Sequence, residues 1–568
     1  MFYIGFPNSP FMNYDRNLIF VLHGYGGKPL QYASVKQAIL ECYPNSDVHI
    51  PQMPMGAFSC VDSNIIINER LREIDQQWAT GEFKKIILVG HSTGGLYARK
   101  IYIAACGEND LVKFEPALNA KEPRPWAKHV DRIVLLAGIN MGWSVPVHIS
   151  VKDTILIKLG LFIGAVMALF GFHALGLKTR RGSSFITLLR MQWLEMLLQA
   201  EHKGIGNALA VQLLGTVDDI VSPDDNVDLI TGSSFVYLDV PDSGHASVIQ
   251  MGNSDSGKAR RKVFKDSIIK SKDELQAMQV MQADDIALPV DKSVTDVIFV
   301  IHGIRDTGFW TAKIARKVKS VGLKQIPKRV FATETSTYGY FPMLPFLLPN
   351  IRLKKVEWLM SQYVKNYALY PNAKFSYIGH SNGTYLLAKA FHEYPFCKFH
   401  NVIFAGSVVH QNYGWGELLA DKRVDNVYNF VANDDWVVGT VPKTLQTLRL
   451  QDLGSAGFDG FRGLAPNEQA EYIQGNHGAA LSEIYWDDMA NFIVNSSFAK
   501  GGAIKIVTRS RLMSIVSKTA PLLLLLVICL IFLLGAGIWH AFPKLDMGFK
   551  IIFLTLYCYI VWRILTRF

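Results

Sequence analysis

The feature that most constrains this chain is a pentapeptide pattern that occurs twice, each time after a short apolar stretch and before a helix-like stretch. The first copy is residues 90–94 (Gly-His-Ser-Thr-Gly), which follow the apolar residues 86–89. The second is residues 379–383 (Gly-His-Ser-Asn-Gly), which follow 375–378. A serine aimed out of a sharp strand-to-helix turn leaves no room for side chains two positions before and after it. Each copy therefore predicts a buried strand, a tight turn that presents a serine, and a helix.

The chain around the two pentapeptides also repeats. Short apolar stretches alternate with helix-like stretches from Leu18 to Gly252, and the same alternation restarts at Val297. This pattern is typical of a mostly parallel sheet with helices on both faces. A chain of 568 residues is also too long for one compact core. We therefore predict two tandem α/β domains, at 1–271 and 295–498, joined by a linker at 272–294 and followed by a C-terminal segment at 499–568.

The two serines need partners before they can act as nucleophiles. A serine hydroxyl becomes reactive when a histidine accepts its proton and an acid orients that histidine. In both halves an aspartate follows a later predicted strand, and a histidine follows the next one. The adjacent Asp219 and Asp435 remain alternatives, because sequence alone does not separate neighbouring carboxylates. The predicted catalytic sets are Ser92, Asp218 and His245 in the first half and Ser381, Asp434 and His477 in the second.

Negative charge that develops on a substrate oxygen in such a reaction needs backbone N–H donors. One donor is expected directly after the serine, and the other in the loop after the first strand of each domain. His23 and His302, which stand at the start of these loops, are predicted to have a structural role. The four expected donors are Tyr25, Thr93, Ile304 and Asn382.

Three segments of the first half, at 20–27, 90–95 and 215–221, resemble the lipase and serine-esterase branch of the α/β-hydrolase superfamily. The superfamily resemblance covers about 18–250 and 297–492. It implies hydrolysis of esters or thioesters through an acyl-enzyme on each serine. The second half departs from the lipase pattern, because it has no Gly-Gly after its first His-Gly and has Asn382 where a small residue is commoner. We expect a smaller or more open substrate site there.

The first half also contains an insertion where lipases commonly carry a lid. It has an apolar run at 155–177 and then an amphipathic, helix-like segment. A membrane crossing in the run would separate Ser92 from Asp218 and His245. We therefore predict a lid, at about 145–207, that lies on or dips into the bilayer. A helical pair buried against the core is the alternative. The candidate membrane-binding residues are Phe162, Phe170, Leu188, Leu189 and Trp193.

The C-terminal segment contains two apolar stretches that predict a transmembrane hairpin. The first, at 519–539, is long enough to cross a bilayer as a helix. The second, at 548–565, is shorter and contains Lys550 and Arg563, so an interfacial helix is its alternative. Basic residues are denser before the first stretch than between the two. Both ends of the hairpin, and with them the hydrolase domains, are therefore expected on the cytoplasmic side.

Composition excludes several other classes of protein. The net charge of +10 is not gathered in a dense Lys/Arg block, which argues against nucleic acid as a partner and fits an anionic membrane surface. The six cysteines have neither paired nor metal-ligand spacing, so we expect a reducing compartment and no structural metal. No cofactor is expected either. Residues 1–11 lack the pattern of a secretory signal.

The sequence therefore favours a membrane-anchored serine hydrolase that acts on carboxylic esters of lipid-like substrates, as a lipase, phospholipase or esterase does. Three alternatives stay open. The protein could be a thioesterase that removes acyl groups from lipidated proteins, or it could combine one active domain with a non-catalytic binding domain. It could also be an exported lipolytic effector. The acyl chain, the head group and the oligomeric state are not determined by the sequence.

Overall fold

The computed structural model describes residues 16–56, 59–109, 111–143, 175–218, 235–279, 290–306, 308–465, 468–498, 501–541 and 547–567. The chain divides into two compact units, Met1–Pro289 and Val290–Phe568. Within these described ranges, each unit contains one six-stranded sheet.

The first unit is built on strands that all run parallel. Its strands are β1 (Asn17–Leu22), β2 (Asp47–His49), β3 (Lys85–His91), β4 (Val130–Leu136), β5 (Leu209–Gly215) and β6 (Phe235–Val240). Its helices are α1 (Ala33–Cys42), α2 (Ser63–Thr80), α3 (Thr93–Ala105), α4 (Leu175–Lys178), α5 (Ser184–Lys203), α6 (Asp255–Ile269) and α7 (Lys272–Ala277).

The second unit repeats this plan with another all-parallel sheet. Its strands are β7 (Asp296–Ile301), β8 (Phe331–Glu334), β9 (Lys374–His380), β10 (Phe399–Ala405), β11 (Val424–Ala432) and β12 (Gln469–Ile473). Its helices are α8 (Thr311–Gly322), α9 (Met343–Phe346), α10 (Pro349–Leu369), α11 (Asn382–Glu393), α12 (Trp415–Ala420), α13 (Trp436–Thr447), α14 (Ala456–Asp459), α15 (Trp486–Asn495), α16 (Arg511–Ala541) and α17 (Met547–Arg567).

The two sheets have the same topology and register. The first has the order β2-β1-β3-β4-β5-β6, and the second has the equivalent order β8-β7-β9-β10-β11-β12. Leu22 of β1 pairs with Gly90 of β3, just as Ile301 of β7 pairs with Gly379 of β9. This register places each first loop beside the turn that presents the serine. The chain thus folds into two tandem α/β units, each with a parallel sheet flanked by helices, and this part of the predicted fold class is confirmed.

Both faces of the first sheet are covered, as a parallel sheet requires. Leu18 and Phe20 of β1 point into an apolar layer shared with α2, α3 and α5. Ile19 and Val21 point into a second layer, shared with α1, α6 and α7. Alternate residues of one strand therefore serve opposite layers, and the sheet is held rigidly between them.

The start of the predicted linker, 272–294, is a helix of the first unit. Ser271 caps the N-terminus of α7, with its hydroxyl bonded to the N–H of Glu274 and the Glu274 carboxylate bonded back to the Ser271 N–H. Leu275 is buried in the layer below the first sheet. The segment has the polar composition of a linker, but it also contains a capping box and one buried apolar residue. These two features stabilise a short helix packed on the first unit.

Helix α5 contains the amphipathic segment of the predicted lid, and its apolar face is buried. Leu189 and Trp193 lie in the core layer, where the Trp193 ring packs 4.7 Å from the guanidinium of Arg99. The prediction that these two residues bind a membrane is wrong, because amphipathicity marks an apolar face without identifying what covers it. Leu188 is half-buried. Phe162 and Phe170, with the rest of the predicted lid up to residue 174, lie outside the described residues.

The C-terminal hairpin of the prediction corresponds to α16 and α17. Both helices are long and apolar enough to cross a membrane, judged by length and composition. They contact each other through Tyr557, whose hydroxyl donates to the carbonyl of Ile531 at 2.6 Å. The Tyr557 ring also lies against Gly535, where a β-carbon would be 3.3 Å from a ring carbon. The small residue on α16 therefore admits the aromatic ring of α17.

Candidate active sites

Ser92 and Ser381 occupy the same strained turn in their respective units. Ser92 has φ 52° and ψ −123°, and Ser381 has φ 51° and ψ −118°. Residues other than glycine rarely adopt positive φ, and such strain is found mainly where function requires it. Each turn follows a central strand and leads directly into a helix, α3 or α11. The strand-to-helix turn that the pentapeptides predict is present in both units.

The glycines of the pentapeptides are required by close backbone contacts. A β-carbon on Gly94 would lie 2.2 Å from the carbonyl oxygen of Leu22, and one on Gly383 would lie 2.4 Å from that of Ile301. These distances are shorter than any real contact of a β-carbon, and the opposing atoms belong to the backbone of the first strand. Only glycine lets the helix that follows each serine approach that strand.

In the first unit a hydrogen-bonded chain joins the serine to a carboxylate. Oγ of Ser92 lies 2.8 Å from Nε2 of His245, and Nδ1 of His245 lies 3.1 Å from Oδ2 of Asp218. Asp218 follows β5 and His245 follows β6, at the same edge of the sheet as the serine. When Nδ1–H donates to Asp218, the lone pair on Nε2 faces the hydroxyl. This geometry can take the proton from Ser92 as its oxygen attacks a carbonyl carbon.

In the second unit the histidine contacts the second of the two neighbouring aspartates. Nδ1 of His477 lies 2.8 Å from Oδ2 of Asp435, which is buried, whereas Asp434 is exposed. The other oxygen of Asp435 accepts the N–H of Val438 at 2.9 Å and caps α13. The histidine therefore pairs with Asp435, the alternative that the sequence left open, and not with Asp434 as predicted. The carboxylate that caps the helix is held inward, and its neighbour is left in solvent.

The two sites differ in the contact between serine and histidine. Among the described residues, the first unit has the 2.8 Å contact from Ser92 to His245, and the second has no corresponding hydrogen bond from Ser381 to His477. Ser381 is buried, and the imidazole of His477 lies against Gly406, where a β-carbon would be 2.8 Å from Cε1. The histidine–aspartate pair is formed in both units, and the serine–histidine bond is formed in the first.

Sequence reasoning missed the histidine that precedes each serine. His91 is buried, and its Nε2 lies 2.9 Å from the carbonyl oxygen of His245. Its Nδ1 lies 2.8 Å from the hydroxyl of Tyr32, which also accepts the N–H of Gly24 at 3.0 Å. Because a carbonyl only accepts, Nε2 of His91 carries the hydrogen and Nδ1 accepts from Tyr32. This chain ties the first loop, the serine turn and the histidine loop together.

Burial keeps both of these histidines neutral. It lowers the pKa of His91 to about 4 and that of His380 to about 3. Nε2 of His380 likewise contacts the carbonyl of His477, at 3.1 Å, but Nδ1 of His380 is buried with no hydrogen-bond partner among the described residues. Within the described part of the second unit, no tyrosine therefore takes the place that Tyr32 has beside His91. The repetition of His at the second position of both pentapeptides was the available sequence signal for this role.

The loops after the first strands are held by the histidines for which the sequence predicts a structural role. Nδ1 of His23 lies 2.8 Å from the Gly24 carbonyl, and its Nε2 accepts the N–H of Met53 at 2.8 Å. His302 makes the same contact to Gly303 at 2.8 Å, and its Nε2 contacts the Thr337 hydroxyl at 2.7 Å. Both rings are buried and span two loops, which fixes the backbone beside the serine.

The four expected oxyanion donors are distributed over these same loops and turns. Thr93 and Asn382 are the first residues of α3 and α11, where N–H groups have no partner within the helix. Tyr25 and Ile304 lie in the loops after β1 and β7. Their role as donors stays a prediction.

No candidate metal centre is found in the described ranges, because no three or more His, Cys, Asp or Glu side chains come together there as ligands could. The ionisable groups at both sites are instead the imidazole–carboxylate pairs described above.

Comparison with known proteins gives a partial likeness to solved structures. No family model and no curated protein matches the sequence. Two structures of the phospholipase PlaB from Legionella pneumophila match with TM-scores of 0.23 and 0.31 and identities of 16% and 13%, over 36% and 48% of this chain. The matches cover only 38% and 64% of the PlaB chains. A monoacylglycerol lipase from Paleococcus ferrophilus matches with a TM-score of 0.28 and 13% identity, over 44% of this chain and 93% of its own. Scores this low describe a partial likeness of fold and nothing about activity.

Proposed function

We propose that the chain is a membrane-anchored serine hydrolase that cleaves carboxylic esters of lipid-like molecules through an acyl-enzyme. The observation that carries the proposal is the continuous chain from Ser92 through His245 to Asp218, with contacts of 2.8 and 3.1 Å, on a strained strand-to-helix turn. A structural serine needs neither a buried imidazole–carboxylate pair nor a positive φ. A nucleophilic serine uses both.

The proposed reaction at the first site follows from this geometry. Oγ of Ser92 attacks the ester carbonyl as its proton passes to Nε2 of His245, and Asp218 stabilises the imidazolium that forms. The imidazolium then gives the proton to the leaving alcohol, and an acyl group remains on Ser92. A water molecule that is deprotonated by His245 releases the carboxylic acid and restores the serine. The proposed oxyanion donors are Tyr25 and Thr93, of which Thr93 stands at the positive end of the α3 dipole.

For the second site we propose the same chemistry on Ser381, with His477 as base and Asp435 as acid. The 2.8 Å contact between His477 and Asp435 supports it, together with a turn that matches that of Ser92. The serine–histidine bond is expected to form when substrate binds, since catalytic hydrogen bonds are often long in ligand-free sites.

We further propose that α16 and α17 cross the bilayer as a hairpin, with both ends and both hydrolase units on the cytoplasmic side. Length and composition of the two helices support the crossing, and the denser basic residues before α16 support the orientation. Protease added to sealed, inside-out vesicles should then digest both units. Protection of either unit would contradict the orientation.

The enzymatic proposal is tested with the full-length protein in detergent, on p-nitrophenyl esters of short and long acyl chains and on an acyl thioester. Wild type should hydrolyse the esters, Ser92→Ala and Ser381→Ala should each retain part of the activity, and the double variant should retain none. Ester turnover in the double variant equal to that of wild type would overturn the proposal. Turnover of the thioester alone would favour the thioesterase alternative instead.

A further inference from the structure

The first helix of the hairpin begins as part of the second unit. In its first three turns, Met513, Ser517 and Ala520 are buried, and their spacing puts them on one face of α16. This stretch packs against α13. Just before it, the guanidinium of Arg509 stacks on Phe458 at 4.1 Å and forms an ion pair with Asp459. The start of the anchor is therefore docked on the domain.

The docked stretch continues within the same helix into an exposed apolar one. From Leu522 onward most of the large side chains of α16 are exposed. The distance from Leu522 to Ala541 is about 30 Å at 1.5 Å per residue, which matches the hydrocarbon thickness of a bilayer. If α16 spans a membrane, the surface of the second unit beside Ala520 lies at the membrane boundary.

That surface is the edge of the sheet at which Ser381 stands. The six strands are parallel, so their carboxyl ends lie together. Ser381 follows β9, and α13, on which α16 docks, follows β11. The second hairpin helix, α17, contacts α9, which follows β8 on the other side of β9. The hairpin thus touches elements on both flanks of the strand that carries the serine.

Large apolar side chains are exposed at the same edge, also on both flanks. They are Phe309 after β7, Tyr340 after β8, Trp436 after β11 and Ile484 after β12, and they are 84%, 54%, 60% and 60% exposed. We name these four residues the carboxyl-edge collar. Exposed apolar groups gathered around a site mark an interaction surface, and tyrosine and tryptophan favour the boundary between lipid and water.

We propose that the carboxyl-edge collar contacts the bilayer and that Ser381 takes its acyl ester directly from the adjoining leaflet. The proposal rests on the proposed function, because it requires a spanning hairpin and a nucleophilic Ser381. Oγ of Ser381 attacks the lipid ester carbonyl, the alcohol leaves with the proton that His477 received, and water then releases the fatty acid. This assigns to the second unit the membrane contact that the sequence predicts for the lid of the first.

The contact is tested first without catalysis. An environment-sensitive fluorophore is attached to Phe309→Cys, Tyr340→Cys or Trp436→Cys in a chain whose six native cysteines are replaced by alanine, and the protein is reconstituted in vesicles with nitroxide-labelled lipid. The matched control is Leu323→Cys, which is 44% exposed at the amino-end edge of the same sheet. Quenching at the three collar positions should exceed that at Leu323 by about threefold or more.

Equal quenching at all four positions would overturn the proposal. A fluorophore at the collar that is shielded from water but not quenched would show a protein surface, such as a second copy of the chain, in place of lipid. That result would overturn the proposal as well.

A second test uses the native cysteines and reads turnover, in a Ser92→Ala background so that only Ser381 acts. The double variant Phe309→Ser/Tyr340→Ser should hydrolyse a long-chain ester embedded in vesicles about tenfold more slowly than its parent. Hydrolysis of a water-soluble short-chain ester should stay within about twofold, because neither residue belongs to the catalytic set.

Leu323→Ser should leave both rates unchanged. Unchanged vesicle turnover in the collar variant would contradict the proposal. A parent that fails to hydrolyse either ester would instead refute catalysis by Ser381, and with it that part of the proposed function, whereas the quenching result would still report the bilayer contact.

Discussion

Replacing Tyr32 by Phe removes one oxygen atom that joins three loops of the first site. The hydroxyl accepts the N–H of Gly24 at 3.0 Å and donates to Nδ1 of His91 at 2.8 Å, and all three groups are buried. A buried donor or acceptor left without a partner costs about 1–3 kcal/mol, so losing both bonds should lower the free energy of unfolding of the first unit by about 2–6 kcal/mol. The phenyl ring itself is kept, so packing contributes little to this loss.

The same substitution should slow catalysis at Ser92. Nε2 of His91 lies 2.9 Å from the carbonyl of His245, so an imidazole that loses its Tyr32 bond should also hold His245, the proposed base, less firmly. Misplacing a catalytic group by about 1 Å can cost about a hundredfold in rate, and we expect kcat/KM for a soluble ester to fall by about ten- to a hundredfold. The assay uses a Ser381→Ala background, at a temperature where urea titration shows the first unit to be folded.

Tyr97→Phe is the matched control. The Tyr97 hydroxyl is also buried in the first unit, but its contact, at 3.1 Å, is with Oγ of Ser63 at the start of α2 and not with Gly24 or His91. This variant should lose stability and keep kcat/KM within about twofold of its parent. A normal rate in Tyr32→Phe, or an equal loss of rate in Tyr97→Phe, would refute a positioning role for the Tyr32–His91 chain.

Three further predictions concern both units. In a Ser92→Ala background, Asp435→Asn should lower ester turnover by about two to four orders of magnitude, although the new Asn still caps α13. Asp434→Asn should change turnover by less than about twofold. A larger loss in Asp434→Asn than in Asp435→Asn would restore Asp434 as the proposed acid. Gly383→Ala should abolish labelling of Ser381 by a fluorophosphonate probe, because its β-carbon would lie 2.4 Å from the Ile301 carbonyl. Gly416→Ala should leave this labelling unchanged, because no described atom outside its own helix lies within 4 Å of the new carbon. Burial lowers the pKa of His91 from 6.5 to about 4. Between these two pH values the unfolded chain binds a proton at His91 that the folded chain does not bind. The free energy of unfolding should therefore fall by up to about 3 kcal/mol as pH decreases from 6.5 to 4. In urea titrations across this pH range, the free energy of unfolding of His91→Gln should depend less steeply on pH than that of wild type. An equally steep dependence in both proteins would contradict the lowered pKa of His91.

The fold and the position of each serine could be predicted from sequence because their causes are local. A strand, two obligatory glycines and a helix stand next to one another in the chain, and the pattern occurs twice. The close approach of Gly94 to Leu22 and of Gly383 to Ile301 is the physical reason for that pattern. Because the steric requirement falls on residues within one pentapeptide, it is visible in the sequence.

The aspartate that contacts His477 could not be predicted, because Asp434 and Asp435 are distinguished only by the conformation of the turn before α13. Both halves contain Asp-Asp after the corresponding strand, and aligning them suggests the same member of each pair. In the first unit His245 contacts Asp218, the first of its pair, and in the second unit His477 contacts Asp435, the second of its pair. In the second unit the N-cap of α13 falls on Asp435, and the cap turns that side chain inward.

The sequence also did not show whether protein or lipid covers an apolar face. The apolar residues of α5 have the periodicity of a membrane-bound helix, but the core of the first unit covers them. The collar residues of the second unit are isolated aromatic and aliphatic residues in separate loops, which have no periodicity. They share one edge of the sheet only because parallel strands end at a common edge.

The central claim is that Ser92 and Ser381 are each reactive nucleophiles. It is tested most directly by labelling with a fluorophosphonate probe and identifying the labelled peptides by mass spectrometry. Wild type should carry adducts on Ser92 and Ser381, each single Ser→Ala variant should carry only the other adduct, and the double variant should carry none. An adduct on Ser92 but never on Ser381 would reduce the second unit to a non-catalytic module. Labelling of neither serine would contradict the hydrolase mechanism altogether.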